Sequence, residues 1–259
     1  MDEEIKVLAN KIVDKVDKKV RKVYLSEFHR FGTSIGIGAD GTPTKYIDQV
    51  AEDVALDVVK KSDVNVNVLS EEVGFLDNGS DYTFVLDPID GTRNAYRGIP
   101  FYSVSLAVGK SAISDVEYGI VKNIPTGDVF IAEKGQGAFY NKNRFAVPEV
   151  PDKEILSSLA LGINYDKKTL SLAKKDKVRS LGSASLEMCM VAIGALDFYV
   201  VGKEYIRVID IAASTLILRE AGGIVTNILG EQLDMGFNLD ERSSVVAACN
   251  MELIQKIIS

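Results

Sequence analysis

Apolar residues near the N-terminus recur with the period of an α-helix. Within residues 3–25, positions such as Ile5, Leu8 and Ile12 are apolar, and Lys, Asp and Glu fill most positions between them. Residues 45–61 repeat the pattern. Because side chains three or four positions apart share one face of a helix, both stretches are predicted to be amphipathic helices with one face against a core.

Short runs of β-forming residues follow the second helix. Residues 64–69 alternate and lead into Ser70-Glu71-Glu72, and the apolar residues 82–86 lead into Asp87-Pro88-Ile89-Asp90. Pro88 lacks a backbone N–H and biases Asp87 toward an extended backbone, so this strand is predicted to end at Asp87. Turn residues separate the later runs, which predicts a largely antiparallel sheet. The later runs are 101–110, 116–122, 129–134 and 137–141.

A proline-bounded stretch at 148–151 separates this half from a second mixture of strands and helices. The turn Gly182-Ser183-Ala184 is predicted to lead into a helix. Another helix opens near Ile209 and ends at Ala221-Gly222-Gly223. The fold class is therefore predicted as α+β. The strands predicted in this half are 156–163, 178–181, 196–201 and 244–248.

Composition narrows the function classes. The formal net charge of -7 argues against a nucleic-acid partner or a membrane-surface protein, both of which usually show a basic excess. Cys189 and Cys249, the only two cysteines, lie in apolar runs, so neither a disulfide framework nor a thiolate metal site is indicated. The sequence shows no signal peptide and no long apolar span, so we expect a cytoplasmic protein.

Histidine-based chemistry is nearly excluded. His29 is the single histidine and the chain has no tryptophan, so a histidine triad, phosphohistidine or His-rich zinc site would depend on this one residue. His29 lies in a plain segment, where a structural or solvent-facing position is favoured. We therefore expect catalysis to rest on carboxylates, hydroxyls and metal ions.

Carboxylates at strand ends are the candidate chemical groups. Asp87 and Asp90 lie three residues apart after a buried strand and can converge on one cation. The N–H groups of Gly91 and Thr92 open the next helix and can face an anion. A divalent metal ion bridged to a phosphate fits both features.

Each motif alone also has a simpler explanation. Asp-Pro-x-Asp-Gly is a common turn, Glu71 and Glu72 fit a charged loop, and Asp210 fits a helix cap. The segment 36–41 matches G-x-G-x-x-G, but Thr-Pro-Thr follows where a dinucleotide fold needs a helix. A mobile glycine-rich loop carrying Asp40 is favoured there.

Four motifs, taken together and in this order, resemble the inositol monophosphatase family of metal-dependent, lithium-sensitive phosphatases. They are Ser70-Glu71-Glu72, Asp87-Pro88-Ile89-Asp90-Gly91-Thr92, Gly182-Ser183-Ala184 and Ile209-Asp210-Ile211-Ala212-Ala213-Ser214. The resemblance implies a layered α-β-α-β-α sandwich, a homodimer and two or three Mg²⁺ ions per site, with Mn²⁺ as a substitute. The segment 39–45 and the chain length look most like archaeal members, which hydrolyse both inositol monophosphate and fructose 1,6-bisphosphate.

The resemblance also implies residue roles. The metal ligands would be Glu71, Asp87, Ile89 through its carbonyl, Asp90 and Asp210. Gly91 and Thr92 would hold the phosphate, and Thr92 with Glu71 would orient the attacking water. Asp40 or Asp48 would assist from the first loop.

The substrate side departs from the animal inositol enzymes. Arg93 stands where their motif has Thr or Ser, and Lys203 stands where they place an acid that binds an inositol hydroxyl. Lys203, Arg207 and Arg179 are either surface charges at strand ends or the binding site of a second phosphate. The candidate substrate-binding residues are Asp90, Arg93, Asn164, Tyr165, Arg179, Ser183, Ala184, Lys203 and Arg207.

The sequence thus predicts a Mg²⁺-dependent phosphomonoesterase acting on fructose 1,6-bisphosphate and inositol 1-phosphate through metal-activated water, without a phosphoenzyme. Residues 1–259 would form one catalytic unit. Its subdomain 1–148 would hold the metal and phosphate site, and 149–259 the substrate rim and last metal ligand. The alternatives are a phosphatase for 3′-phosphoadenosine 5′-phosphate or a related nucleotide, a metal-binding regulatory module without catalysis, and a dinucleotide-binding protein.

Overall fold

Two β-sheets alternate with three layers of helices. The structure, a computed structural model, describes residues 1–149, 154–161, 167–173 and 177–259. It contains an eight-stranded sheet, a five-stranded sheet and a separate two-stranded hairpin. Helices cover the outer face of each sheet and fill the space between them. This confirms the layered α-β-α-β-α sandwich implied by the resemblance.

The two predicted N-terminal helices form the first layer. Helix α1 (Glu3–Glu27) and helix α2 (Tyr46–Lys60) pack on each other and on the eight-stranded sheet. Their apolar stripes, which include Ile12, are buried there. The hairpin of β1 (Ser34–Ile37) and β2 (Pro43–Lys45) connects the two helices.

The large sheet is antiparallel except at one pair of strands. Its spatial order is β10-β9-β8-β7-β6-β5-β3-β4, and only β3 and β5 run parallel. The largely antiparallel sheet predicted from the turn signals is therefore confirmed. Its strands are β3 (Asn67–Ser70), β4 (Gly74–Leu76), β5 (Thr83–Asp90), β6 (Ser103–Gly109), β7 (Tyr118–Asn123), β8 (Val129–Glu133), β9 (Gly137–Tyr140) and β10 (Asn143–Phe145).

The prediction that strand β5 ends at Asp87 is wrong, because β5 continues to Asp90. The β5–β6 register shifts between Asp87, which pairs with Ser105, and Asp90, which pairs with Ser103. Pro88 therefore lies in a β-bulge, where its missing N–H costs no ladder hydrogen bond. The bulge keeps both aspartates at the sheet edge, and the short helix α3 (Thr92–Arg97) follows.

The second half contributes the smaller sheet and the remaining helices. The sheet has the order β12-β11-β13-β15-β14, with the first three strands parallel. Strand β13 extends five residues beyond its predicted end at 201. The elements are β11 (Leu156–Leu159), α4 (Lys167–Leu172), β12 (Lys177–Arg179), α5 (Ala184–Ala192), β13 (Phe198–Ile206), α6 (Val208–Glu220), β14 (Ile224–Thr226), β15 (Ser243–Ala248) and α7 (Met251–Ile258).

Helices α5 and α6 form the middle layer. Every residue of α6 from Val208 to Leu218 is buried, as expected for a mostly apolar helix that lies between two sheets. Gly119 on β7 allows the closest approach, because a Cβ there would lie 2.8 Å from the carbonyl oxygen of Ala213. The position of α6 thus depends on this glycine.

The division at residue 148 stays a prediction. One core cluster joins residues from both sides of that position, since it includes Leu69 and Val85 together with Leu159 and Phe198. The helices in the described part of the chain include none that is long and apolar enough to cross a membrane.

We expect Gly119→Ala to destabilise the protein because its methyl group meets the backbone of α6. Forcing such a contact into a packed core costs about 1–3 kcal/mol. Gly36→Ala is the matched control, since nothing lies within 4 Å of a Cβ at that position. Urea unfolding of the two variants measures the difference, and equal losses of unfolding free energy would contradict this account of the α6 contact.

Candidate metal and phosphate site

The parallel pairing of β3 and β5 brings two acidic motifs to one edge of the large sheet. Ser70, the last residue of β3, pairs with Leu86, so Glu71 follows β3 at the level of Asp87 in the neighbouring β5. The carboxyl ends of parallel strands meet at one edge. The sequence order alone placed Glu71 sixteen positions before Asp87, and the sheet makes them neighbours.

Asp87 and Asp90 are both buried, with relative exposures of 2% and 7%. Asp87 accepts a hydrogen bond from the Ile89 N–H at 3.0 Å. Burial raises the pKa of Asp87 well above its usual range, and the charge of Asp90 adds to the effect. Burial also raises the pKa of Asp90 to about 6. Two acids that resist ionisation side by side are typical of a place where a cation binds.

Asp210 lies in the first turn of α6. Its Oδ2 accepts the backbone N–H of Arg207 at 2.9 Å, so it closes the helix N-terminus, as the cap explanation expected, although from the third helical position. Its Oδ1 lies 2.8 Å from Nη2 of Arg207. One carboxylate therefore both stabilises the helix start and faces the acidic site.

Arg207 occupies the centre of the acidic residues. Its Nη1 lies 2.6 Å from Oδ2 of Asp40 and 2.7 Å from Oε1 of Glu71. With Asp210, three carboxylates from three separate parts of the chain converge on one guanidinium. Burial acts to lower the pKa of Arg207, but the charges and hydrogen bonds of Asp210 and Glu71 outweigh it and raise this pKa. The prediction placed Arg207 on the substrate rim, and the structure places it among the acids instead.

The donor set fits a hard divalent cation. Carboxylate and carbonyl oxygens are the ligands that Mg²⁺ and Ca²⁺ prefer, and three of these carboxylates already surround a positive group. No three acids, histidines or cysteines in the described ranges converge tightly enough to form a ready-made metal cage. The guanidinium separates Asp40, Glu71 and Asp210, and Asp90 faces α5. The predicted ligand set, including the Ile89 carbonyl, therefore stays a prediction.

Thr92 lies beside Asp48 and not beside Asp40. Its Oγ1 is 2.9 Å from Oδ1 of Asp48 and 3.0 Å from the carbonyl oxygen of Ile89. Burial raises the pKa of Asp48 to about 8, so the metal-free protein keeps this carboxyl largely protonated at neutral pH. The Thr92 hydroxyl is the donor in both contacts, and Oδ2 of Asp48 accepts the backbone N–H of Lys45 at 3.2 Å.

Asp40 is held by the hairpin turn. Burial opposes its ionisation, but hydrogen bonds from Thr42, including one from the Thr42 N–H at 2.8 Å, outweigh burial and lower the pKa of Asp40. The turn docks on the acidic loop because the N–H of Asp40 donates to the carbonyl of Glu71. No helix begins at Gly41, so the structure also argues against a dinucleotide-binding motif in segment 36–41, which the sequence had disfavoured.

Gly91 provides the close approach at the predicted phosphate-binding motif. It adopts φ +92°, a left-handed conformation that favours glycine, and a Cβ there would lie 3.1 Å from the carbonyl oxygen of Gly182. Gly91 is also the N-cap of α3, whose first N–H groups lack intrahelical partners. The motif therefore packs directly against the turn that begins α5.

The predicted substrate residues Ser183 and Ala184 lie at Asp90. Ser183 Oγ donates to Oδ2 of Asp90 at 2.6 Å, and the Ala184 N–H donates to Oδ1 at 3.2 Å. The Ser185 N–H also donates to Asp90, at 2.8 Å. These donors stabilise the ionised Asp90 and partly offset the effect of its burial.

Three residues that hold the site in place were not predicted from the sequence. Ser185 hydrogen-bonds to Asp90, and Asn94 donates to the carbonyls of Phe101 and Leu181, which ties α3 to the turn before α5. Glu187 is 2% exposed and accepts from the N–H of Leu181 at 3.0 Å. An acid inside the apolar run from Leu186 to Cys189 is a signal that could have found Glu187, because unpaired buried acids are rare.

The remaining predicted substrate residues in the described ranges lie on the surface. Arg93 and Arg179 are exposed, and Arg179 donates to the carbonyl of Val178. Lys203 is also exposed and lines a surface pocket with Asn227, Ser243 and neighbouring residues, none of which is an acid of the site. Asn164 and Tyr165 lie outside the described residues. His29 is exposed, which confirms its solvent-facing position.

We expect the metal-free protein to lose stability as pH rises from 5 to 8. Asp48, Asp87 and Asp90 have pKa values in the folded state above the ordinary 3.8. Between 3.8 and about 8 the folded state therefore binds more protons than the unfolded chain, so the unfolding free energy falls with pH. The lowered pKa of Asp40 acts in the opposite sense, but only below 3.8.

Melting temperatures in EDTA test this prediction. They should be several degrees lower at pH 8 than at pH 5, and Asp48→Asn should flatten the dependence. A melting temperature that is constant or rises over this range would show that these acids are not held protonated.

Comparison with known proteins agrees with this geometry. A sequence profile of the inositol monophosphatase family matches residues 1–259. The chain is 39% identical over 267 residues to the fructose-1,6-bisphosphatase/inositol-1-monophosphatase of Methanothermobacter thermautotrophicus, covering 98% of this chain and 95% of that protein. It is 37% identical over 287 residues to the bifunctional NADP phosphatase/NAD kinase of Methanocaldococcus jannaschii, covering 97% of this chain and 49% of that protein.

The fold comparison gives the same result. A solved structure from Pyrococcus horikoshii, described as having similarities for inositol-1 monophosphatase, superposes with a TM-score of 0.85 at 33% identity, covering 99% of this chain and 97% of that chain. The profile match over the whole chain, the two relatives and the shared fold decide the family. The chain belongs to the inositol monophosphatase family of phosphatases.

Proposed function

We propose that this protein is a Mg²⁺-dependent phosphomonoesterase that hydrolyses fructose 1,6-bisphosphate and inositol 1-phosphate. The observation that carries the proposal is the convergence of Asp40, Glu71 and Asp210 on one cationic group beside the Gly91 motif. An acidic protein with an anionic substrate needs cations between them. The name of the Methanothermobacter relative supports the two substrates.

One group of residues would bind the metal ions. The four acids Glu71, Asp87, Asp90 and Asp210, with the carbonyl of Ile89, would hold Mg²⁺ or Mn²⁺. When bound, two or three such ions would lower the pKa of a water, neutralise phosphate oxygens and stabilise the leaving alkoxide.

Thr92 would orient the attacking water. Its hydroxyl donates a hydrogen bond to Asp48, which would hold it in position, and Glu71 would accept from the same water. The N–H groups of Gly91 and Thr92 would bind the phosphate at the start of α3. Ser183 and Ala184, already fixed by Asp90, would contact the sugar or cyclitol.

Direct attack by water is favoured over a cysteine or histidine phosphoenzyme. Burial raises the pKa of Cys189 well above its usual range and that of Cys249 to about 11. Both groups therefore remain neutral thiols, which are poor nucleophiles. His29 is exposed on the short helical turn that follows α1.

The substrate rim would select between phosphorylated compounds. Lys203 lies on β13 four residues before Arg207, which corresponds to about 13 Å of extended strand. Together with Arg179, Arg93, Asn164 and Tyr165, it would surround the second phosphate of a bisphosphate sugar. We further propose a cytoplasmic homodimer of this single catalytic unit.

A nucleotide phosphatase is the second candidate function. The 37% identity to a bifunctional NADP phosphatase/NAD kinase favours a phosphorylated nucleotide such as NADP or 3′-phosphoadenosine 5′-phosphate. The same acids and the same attacking water would serve this reaction, and only the rim would bind a different leaving group.

A substrate panel separates the two functions. Phosphate release should be measured from fructose 1,6-bisphosphate, inositol 1-phosphate, NADP and 3′-phosphoadenosine 5′-phosphate, with Mg²⁺, with Mn²⁺ and with EDTA. We expect the first two compounds to give the highest kcat/KM, only with a metal. Preference for a nucleotide would support the second function, and turnover in EDTA would reject the metal mechanism.

We expect Asp87→Asn to abolish turnover while the metal-free fold is kept or stabilised. The variant replaces a buried acid, whose ionisation beside Asp90 is unfavourable, with a neutral amide of the same shape, so the packing is kept. Changing a residue that only hydrogen-bonds to a metal ligand typically costs about 10–100-fold in metal affinity or activity, so changing a ligand should cost at least about 100-fold in kcat/KM.

Asp81→Asn is the matched control, because Asp81 is exposed. Initial rates and melting temperatures of both variants give the test. Near-wild-type activity of Asp87→Asn would remove Asp87 from the metal site.

We expect Lys203→Ala to raise KM for fructose 1,6-bisphosphate by about tenfold and leave inositol 1-phosphate turnover almost unchanged. A charge-assisted hydrogen bond contributes about 1.5–3 kcal/mol, and 1.4 kcal/mol corresponds to a factor of ten. The exposed Lys15 provides the control variant Lys15→Ala. Equal losses on both substrates would exclude a role specific to the second phosphate.

A further inference from the structure

We propose that Arg207 is an internal counter-ion which a divalent metal must displace, so that this residue sets the metal affinity of the site. The inference rests on the proposed metal site. It concerns an interaction that the sequence did not reveal, the insertion of a guanidinium among the acids.

The contacts of Arg207 are those of a buried charge network and not of a surface arginine. Its side chain is 18% exposed, and its partners Asp40, Glu71 and Asp210 are 0%, 16% and 11% exposed. Beyond the three shortest pairs, Nε lies 3.2 Å from Oδ1 of Asp210 and Nη2 lies 3.3 Å from Oε2 of Glu71. The guanidinium thus uses its planar fork to join three carboxylates.

This network has a physical reason in the metal-free protein. Like charges that are buried together are strongly unfavourable, and one cation among them relieves most of the repulsion. Arg207 supplies one positive charge to three carboxylates, which leaves the local group negative. A second, more highly charged cation is therefore still attracted to the same oxygens.

Arg207 and a metal ion would compete for the same carboxylate oxygens. Glu71 and Asp210 cannot direct the same lone pairs to both a guanidinium and a metal, and Arg207 occupies the space between them. The arginine can leave without unfolding α6, because Asp210 holds the helix N-terminus through the backbone N–H of Arg207. The partly exposed side chain has a route to solvent.

Thermodynamic linkage gives the measurable consequence. If the ion pairs of Arg207 exist only without metal, removing them weakens the metal-free fold and strengthens metal binding by the same factor. The metal-loaded fold is then unaffected. If Arg207 instead stays in the cluster beside the metal, removing it weakens both forms.

The experiment compares Arg207→Met with the wild-type protein in the absence of substrate. Isothermal titration of Mn²⁺ into metal-stripped protein should show about tenfold or tighter binding for the variant. The melting temperature of the variant should be lower in EDTA and should equal that of the wild type in saturating Mn²⁺. Unchanged or weaker Mn²⁺ binding, or a melting temperature that stays lower with Mn²⁺, would overturn the proposal.

Two further variants keep the result interpretable. Arg97→Met removes the same charge from an exposed arginine at the end of α3 and should change Mn²⁺ affinity less than twofold, so a comparable gain there would overturn the proposal. Arg207→Lys keeps a charge without the fork and should give an intermediate gain even if Arg207→Met folds poorly in EDTA. An affinity for this variant at or below the wild-type value would overturn it.

The failure of this inference differs from the failure of the proposed function. If the acids bind the metal, Asp87→Asn should weaken Mn²⁺ binding both in the wild-type protein and in the Arg207→Met variant. Binding that is unaffected by Asp87→Asn, or undetectable in every variant, would overturn the metal site together with the proposal. If Asp87→Asn weakens Mn²⁺ binding but Arg207→Met leaves it unchanged, only the proposal about Arg207 is overturned.

Discussion

The burial of several carboxylates at one edge of a sheet is the constraint on which the rest of this structure depends. Buried acids either become neutral or bind a cation, because desolvation disfavours the isolated charge. This protein uses both solutions. Asp48 and Asp87 have raised pKa values because of their burial, while Asp40 and Asp210 remain paired with Arg207. A site arranged in this way favours the binding of a further cation.

The layered architecture makes this arrangement possible. One parallel pair in an otherwise antiparallel sheet places Glu71 beside Asp87, and a bulge at Pro88 keeps Asp90 at the same edge. The middle helices then approach from the other side, with α5 donating to Asp90 and α6 presenting Asp210. Four segments that are distant in the sequence meet at this site. Two of them lie on α5 and α6, which are enclosed between the two sheets. The proposed metal and phosphate chemistry would therefore depend on the packing of α5 and α6.

Much of this could be predicted from the sequence, because strand ends and acidic motifs are local signals. The antiparallel sheet followed from the turn signals, and the acidic motifs carried the resemblance to the family, which implied the sandwich. The path of β5 beyond Pro88 could not, since a bulge depends on the partner strand β6. The position of Arg207 was also missed, because its sequence neighbours do not show which way a long side chain turns. Ser185 and Asn94 act through backbone groups of other elements, and only the folded chain brings these together.

The central claim is that the cluster of acids binds the divalent metal ion that phosphate transfer needs. Diffraction from crystals soaked in Mn²⁺, with anomalous data, measures this directly. The account predicts anomalous peaks between Glu71, Asp87 and Asp210, with the Arg207 guanidinium moved away from them. Peaks only at other positions, with the Arg207 ion pairs intact, would contradict it.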